Sequence, residues 1–132
     1  MRLVQLKKDK KYWEFVRQLR NDPIVKKGFI QQEEISKEEH YHYMQENYKN
    51  FFICLKDEVP VGYIGVVYND IRVATSPEYQ KKGVAKFMVD EIVKKFPSAV
   101  AKVKLRNKAS LKLFESCGFK KKYYILEKNS DD

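Results

Sequence analysis

The chain has 132 residues, 43% of them hydrophobic and 14% aromatic, with a formal net charge of +9. That size and composition fit one globular domain over residues 1–132, and they argue against a repeat array or a disulfide scaffold. No signal-peptide pattern and no apolar run of roughly 18 residues is present, so the expected protein is soluble and cytoplasmic, with no membrane partner.

"RLVQL" at the start reads as a short strand. In "KDKKYWEFVRQLRNDP", Tyr12, Phe15, Val16 and Leu19 recur at i, i+3, i+4 and i+7, the period of an amphipathic helix. Asn21, Asp22 and Pro23 end it, because the residue before proline disfavours the helical region. "IVKKGFIQQEEI" has no clean period and reads as a loop with a turn of helix. Ser36 and Glu39 form a capping box for a second helix reaching about Tyr48. "NFFICLKDEVPVGYIGVVYNDIRVAT" reads as three antiparallel strands, with Asp57-Glu58 and Asn69-Asp70 at the turns. Its continuous apolar runs belong to strands covered on both faces.

From Gly83 a helix carries Val84, Phe87, Met88, Ile92 and Phe96 on one stripe and stops at Pro97. "AVAKVKLRN" alternates apolar and polar residues and reads as a strand. Asn107 is a good N-cap for a helix ending at Gly118 in the C′ position. "FKKKYYILEK" reads as a last strand, and the final four residues, "NSDD", should fray. The sum is a mixed α+β domain with a mostly antiparallel sheet of about six strands and helices on both faces. A strand-helix-strand crossover, roughly 71 to 106, puts one parallel pair inside it. Cys54 and Cys117 lie in apolar periodic segments and read as buried, reduced thiols rather than a disulfide or metal site.

The stretch "YQKKGVAKF", Tyr79 to Phe87, stands where a strand turns into a helix. The first amides of a helix have no partners inside it, and its dipole adds positive character there. Such a junction is an anion cradle. Gly83 has no Cβ to hold a phosphate away from the backbone, and Lys81 and Lys82 add mobile charge. The bland reading is a surface turn with a glycine for geometry and lysines for solubility. The net charge of +9 suits an anionic partner, whether nucleic acid, phosphorylated cofactor or nucleotide substrate, and is equally compatible with a surface that has no partner.

"SPEYQKKGVAKFMVDEIV" has the form Q-x-x-G-x-A after a strand and a proline. It resembles the acetyl-coenzyme A signature of the GNAT superfamily of N-acetyltransferases, Q/R-x-x-G-x-G/A. "NKASLKLFESCGF", Asn107 to Phe119, resembles that superfamily's second motif, N-x-x-A/S-x-x-L-Y/F-E-x-x-G-F. The two motifs cover residues 76 to 119, and the order of elements extends the resemblance over almost the whole chain. The resemblance implies a fold in which the strand at 71–75 splays from that at 99–106. It implies acetyl-CoA as acetyl donor, with no metal. The amides of Gln80, Lys81, Lys82, Gly83, Val84 and Ala85 would hold its diphosphate. The backbone of Val73, Ala74 and Thr75 would pair with its pantetheine arm. Asn107 and Ser110 would border that arm from the far side, though plain helix capping explains them too. The amide of Ala74 or Thr75 would polarise the thioester carbonyl.

One position departs from the pattern. Many members carry a tyrosine before the glutamate of the second motif, and its hydroxyl protonates the leaving thiolate. Here the residue is Phe114, which has no proton to give. Either thiolate leaves unassisted or through water, since a thiol pKa near roughly 8.5 makes it a tolerable leaving group, or another hydroxyl serves. Tyr123 and Tyr124 are near in sequence and read as packing residues. No base is identified. His40 and His42 are two apart, face different ways on a helix, and read as solvated or capping. Glu33 and Glu34 lie in the aperiodic segment expected to wall the acceptor site, with surface charge as the simpler account.

The acceptor is implied only weakly. "RQLRNDPIV" resembles two branches of the superfamily. One acetylates the 4-amino group of nucleotide-linked sugars, the other ribosomal-protein N-termini. Arg20 and Asn21 would then face the acceptor cleft; a helix stop is the plainer reading. A polyamine is disfavoured by a surface of net charge +9. A coenzyme A-binding member without turnover stays open because of Phe114. A basic RNA-binding domain using Lys120, Lys121, Lys122, Tyr123 and Tyr124 has no nucleic-acid motif behind it, and nucleic acid is not expected as a partner. The general base, the pathway and the oligomeric state, a homodimer among the options, are not legible in the sequence.

Overall fold

The computed structural model describes residues 1–30 and 33–128. The expected fraying of "NSDD" and the middle of the aperiodic loop at 31–32 lie outside the described residues.

Four strands form one antiparallel sheet in the order β1 (Arg2–Gln5), β2 (Phe51–Lys56), β3 (Val59–Val67) and β4 (Asp70–Thr75). The hairpins are set by two-residue turns. Asp57 and Glu58 (φ 52 and 64) join β2 to β3, and Tyr68 and Asn69 (φ 50 and 68) join β3 to β4. Two successive positive φ values match the right-handed strand twist. The second turn lies one residue earlier than the Asn69-Asp70 of the sequence reading, because Asp70 already pairs with Val67.

Successive side chains of β2 and β3 face opposite sides of the sheet. Phe51, Ile53, Leu55, Tyr63 and Val67 pack under α1 (Trp13–Asn21), α2 (Pro23–Lys26) and α3 (Lys37–Asn47). Phe52, Cys54, Ile64 and Val66 pack under α4 (Val84–Lys95) and α5 (Lys108–Ser116). This is the two-sided burial implied by the continuous apolar runs. A bulge between Cys54 and Leu55 pairs Gly62 and Pro60 with them and leaves Val61 as the extra residue. Val61 therefore joins the α4 side instead of the Tyr63 side.

The caps form as the sequence dictates. The Ser36 hydroxyl accepts from the Glu39 amide at 3.1 Å, and the Asn107 side-chain Oδ1 accepts from the Ser110 amide at 3.0 Å. Asp22 caps the single turn of α2.

Two expected strands differ. At 99–106 the chain makes one parallel bridge, Val100 with Asp70, and then leaves β4. At 119–128 no ladder forms among the described residues, and Tyr123 and Leu126 are 90% and 91% exposed. The sheet thus has four paired strands rather than about six, while the α+β architecture, the antiparallel order and the splayed parallel pair stand. The alternation in "AVAKVKLRN" is real, since Ala101 and Val103 pack toward the α4 side. A strand also needs a neighbour, and the divergence from β4 removes it.

Candidate functional site

The strand-to-helix junction is built from positive φ angles. After a 3₁₀ turn at Pro77–Tyr79, Lys81 (φ 61) and Gly83 (φ 82) swing the chain into α4. Gly83 is the N-cap, and a Cβ added to it would meet nothing within 4 Å. The backbone there is open to the outside. No side chain caps α4. The first bond of the helix runs from the Phe87 amide to the Gly83 carbonyl, so the amides of Val84, Ala85 and Lys86 have no acceptor within it. Lys81 and Lys82 are exposed at the mouth, the latter 5.7 Å from the Tyr79 ring centroid. Gln80 braces the turn instead. Its amide donates to the Pro77 carbonyl at 3.3 Å, and its side chain donates to the Thr75 carbonyl at 3.3 Å.

The edge of β4 beside this junction is free. The Ile71 amide donates to the Val100 carbonyl at 2.9 Å, and the Val100 amide donates to Asn69 at 2.8 Å. Ile71 therefore directs its amide away from β3. Strand alternation gives Val73 and Thr75 the same direction and turns Ala74 toward its partner Tyr63 on β3. Past the bridge the open amides are those of Val73 and Thr75. The Ala74 amide is turned into the sheet. The hydroxyl of Thr75 is buried and has no partner among the described residues.

The divergence of the two segments opens a cleft of about 290 Å³. Its walls come from Arg20, Tyr43 and Tyr63 on one side and Val73, Ser110 and Phe114 on the other. Phe29 and Ile30 close one end. That loop is tied down by the Lys104 amine, which donates to the Lys27 carbonyl at 3.1 Å. A second groove of about 400 Å³ runs between Leu3 and Phe87, Lys94 and Lys95, and shares no lining residue with the cleft. Glu33 and Glu34 are exposed and do not line the cleft. Asn21 is engaged by the backbone of Ile35 in both directions, at 2.9 Å each, and pins the loop ahead of α3. Phe114 is 5% exposed, lines the cleft and meets Phe119 edge-on at 5.2 Å.

The cleft is positive. Arg20, Arg72 and Lys102 line it against one carboxylate, Asp70. Lys102 already pairs with Asp70 at 3.2 Å, and Arg72 reaches it at 4.0 Å. Burial pushes the hydroxyls of Tyr43 and Tyr63 above the usual phenol range, so both remain protonated. The Tyr63 hydroxyl has no hydrogen-bond partner among the described residues. Nothing in the sequence singled out these tyrosines. Tyr63 sits in a continuous apolar strand and Tyr43 in a mostly polar helix, and neither stands out until the cleft is seen.

His40 corrects the sequence reading. It is 3% exposed, and one ring nitrogen (Nε2) donates to the Trp13 carbonyl at 2.8 Å while Nδ1 has no partner among the described residues. Burial holds its pKa below the ordinary 6.5, so it is a neutral link between α3 and α1. His42 is exposed. Cys54 and Cys117 are free thiols whose pKa burial raises, which makes them poor nucleophiles. Among the described residues no three His, Cys, Asp or Glu side chains are placed to hold a metal. No helix among them is long and apolar enough to cross a membrane.

The fold is shared with acetyltransferases. A domain from Methanocaldococcus jannaschii aligns with a TM-score of 0.74 at 24% identity, covering 92% of this chain and 88% of that one. A spermidine N-acetyltransferase from Vibrio cholerae, solved with CoA and spermine, aligns with a TM-score of 0.79 at 16% identity, covering 96% and 85%. A ribosomal-protein-alanine N-acetyltransferase from Brucella melitensis aligns with a TM-score of 0.77 at 13% identity, covering 91% and 85%. No curated protein matches the sequence. The model of the acetyltransferase (GNAT) family matches residues 13–119, which hold the free edge, the cradle and the second motif, and the chain belongs to that family.

Proposed function

We propose that the chain transfers the acetyl group of acetyl-CoA directly to a primary amine. One observation carries this reading: the free edge of β4, whose Val73 lines the cleft, leads within eight residues into a helix N-terminus that no side chain caps. The amides at the start of α4, with Lys81 and Lys82, hold the diphosphate of the donor. The pantetheine arm lies along Val73 and Thr75 as an added strand, bordered by Ser110 and Phe114. The Thr75 amide is the donor to the thioester oxygen, because the Ala74 amide faces the sheet.

The deprotonated amine attacks the thioester carbon. The C–N bond forms as the C–S bond breaks, the amine loses a proton to water, and the coenzyme thiolate takes one up. Phe114 gives no proton, so the donor is water or one of the protonated phenols that line the cleft. No cysteine lines the cleft among the described residues, so no acetyl-cysteine intermediate is invoked. For the acceptor we favour a small amine, with a nucleotide-linked amino sugar ahead of a protein N-terminus. Its support is the positive lining and the Arg20-Asn21-Asp22-Pro23 run, which puts Arg20 in the cleft and Asn21 outside it.

Thermal unfolding with and without acetyl-CoA tests the donor site. Ligand at 100 times its Kd adds about 2.7 kcal/mol, a rise of several degrees for a domain of this size. No rise at millimolar acetyl-CoA would refute the proposal. A rise without release of free thiol in the presence of any amine would leave a coenzyme A-binding protein without turnover.

A further inference from the structure

Arg20 comes from the third turn of α1 and reaches the cleft beside Tyr43, whose ring lies 5.1 Å from its guanidinium carbon. It makes no ion pair among the described residues, and its Nη1 is buried with no acceptor. Buried guanidinium N–H groups are costly to leave unpaired, so a native structure that leaves one has a use for it. The carboxylate that lines the cleft with it, Asp70, is committed to Lys102 at 3.2 Å. Arg72 sits on the same side, since Arg20 and Arg72 both bear on the Tyr43 and Tyr63 hydroxyls. The acceptor side of the cleft is therefore an aromatic chamber with two cations and no uncommitted anion.

We infer that the acceptor carries, besides its amine, an anionic group that binds Arg20. The guanidinium fork suits a carboxylate or a phosphate, both of which accept two parallel hydrogen bonds. An acceptor with only cationic groups meets repulsion here and finds no free carboxylate. This rests on the acetyl-transfer reading above, and adds to it that the acceptor is selected by charge.

The test uses the full chain saturated with CoA, so that the α4 terminus is occupied and cannot report the anion. Acceptors are compared in matched pairs: glucosamine with glucosamine 6-phosphate, and tyramine with tyrosine. Binding is read as a thermal shift, and thiol release from acetyl-CoA is followed in parallel. The expected result is that the anionic member of at least one pair binds at least tenfold tighter than its partner. Phosphate alone, carboxylate alone, or both identify the group. Arg20→Gln should abolish that preference and Arg20→Lys should keep part of it, with the acetyl-CoA shift unchanged in both. Equal binding within both pairs, including no binding by any, overturns the inference. So does a preference that survives Arg20→Gln. Loss of the acetyl-CoA shift in the wild-type chain would instead sink the acetyl-transfer reading. Should Arg20→Gln not fold, the wild-type comparison and Arg20→Lys still decide.

Discussion

Tyr63 is buried by its ring and lines the cleft with a protonated hydroxyl that has no hydrogen-bond partner among the described residues. Removing that oxygen breaks no internal hydrogen bond, so Tyr63→Phe should leave stability nearly unchanged. General acids contribute roughly a hundredfold or more. With Phe114 unable to serve, Tyr63→Phe is expected to lower kcat by about that factor while the KM for acetyl-CoA stays put. Steady-state kinetics checks it, and an unchanged kcat would mean that the thiolate leaves without a protein acid. His40 makes a different kind of prediction. Its folded pKa lies below the unfolded 6.5, so the unfolded chain takes up a proton that the folded one resists. Its contribution is complete above that pH and is lost as pH falls through and below it. Urea midpoints should drop from pH 7 to pH 5, and His40→Gln should flatten that drop. Histidine pairs on a helix read as solvent-facing from sequence because burial depends on which face meets α1. The spacing of His40 and His42 separated their faces correctly but did not tell which was inside.

At the level of elements, the helices and the antiparallel strands were legible because each carries its own period and punctuation. Ser36, Asn107, Asp22 and the stripe from Val84 are local signals, and local chemistry decides them. The alternation at 99–106 and the apolar run at 119–128 suit strands, yet pairing is a property of two segments and neither signal names a neighbour. The cradle had a local signal as well, because Gly83 at φ 82 is written in the sequence as a glycine before a helical stripe. Gly83→Val tests it with an internal control. Gly118, at φ 93, is equally open, with no atom within 4 Å of a built Cβ. Both substitutions force a β-branched residue into the left-handed region and should cost about 1–2 kcal/mol each. Only Gly83→Val also places a methyl pair at the helix mouth. Acetyl-CoA affinity should fall more than tenfold in Gly83→Val and stay within about twofold in Gly118→Val, as read by calorimetry. Equal affinities in the two variants would place the diphosphate elsewhere.

For the molecule as a whole, the sheet is protected unevenly. β2 and β3 are paired along both edges and covered on both faces. β4 loses its second neighbour after Asp70, and the cleft exists because of that loss. Beyond α5 the chain from Lys120 to Lys128 carries Tyr123, Tyr124, Ile125 and Leu126 in the open, an apolar run of the kind that pairs with another edge. Three lysines precede that run, and like charge at an edge resists edge-to-edge association between copies bearing the same net charge of +9. Amide exchange maps these differences, because protection follows hydrogen bonding and burial. In dilute protein at low salt, the amides of β2 and β3 should exchange slowest. Those of β4 at Val73 and Thr75 should exchange faster than those at Arg72 and Ala74, which face β3, and acetyl-CoA should slow the Val73 and Thr75 amides selectively. The amides of 120–128 should exchange at nearly the rate of a free chain. Protection of 120–128 that grows with protein concentration and with salt would mean that a second copy completes the edge once the lysines are screened. Protection independent of both would contradict an unpaired segment outright.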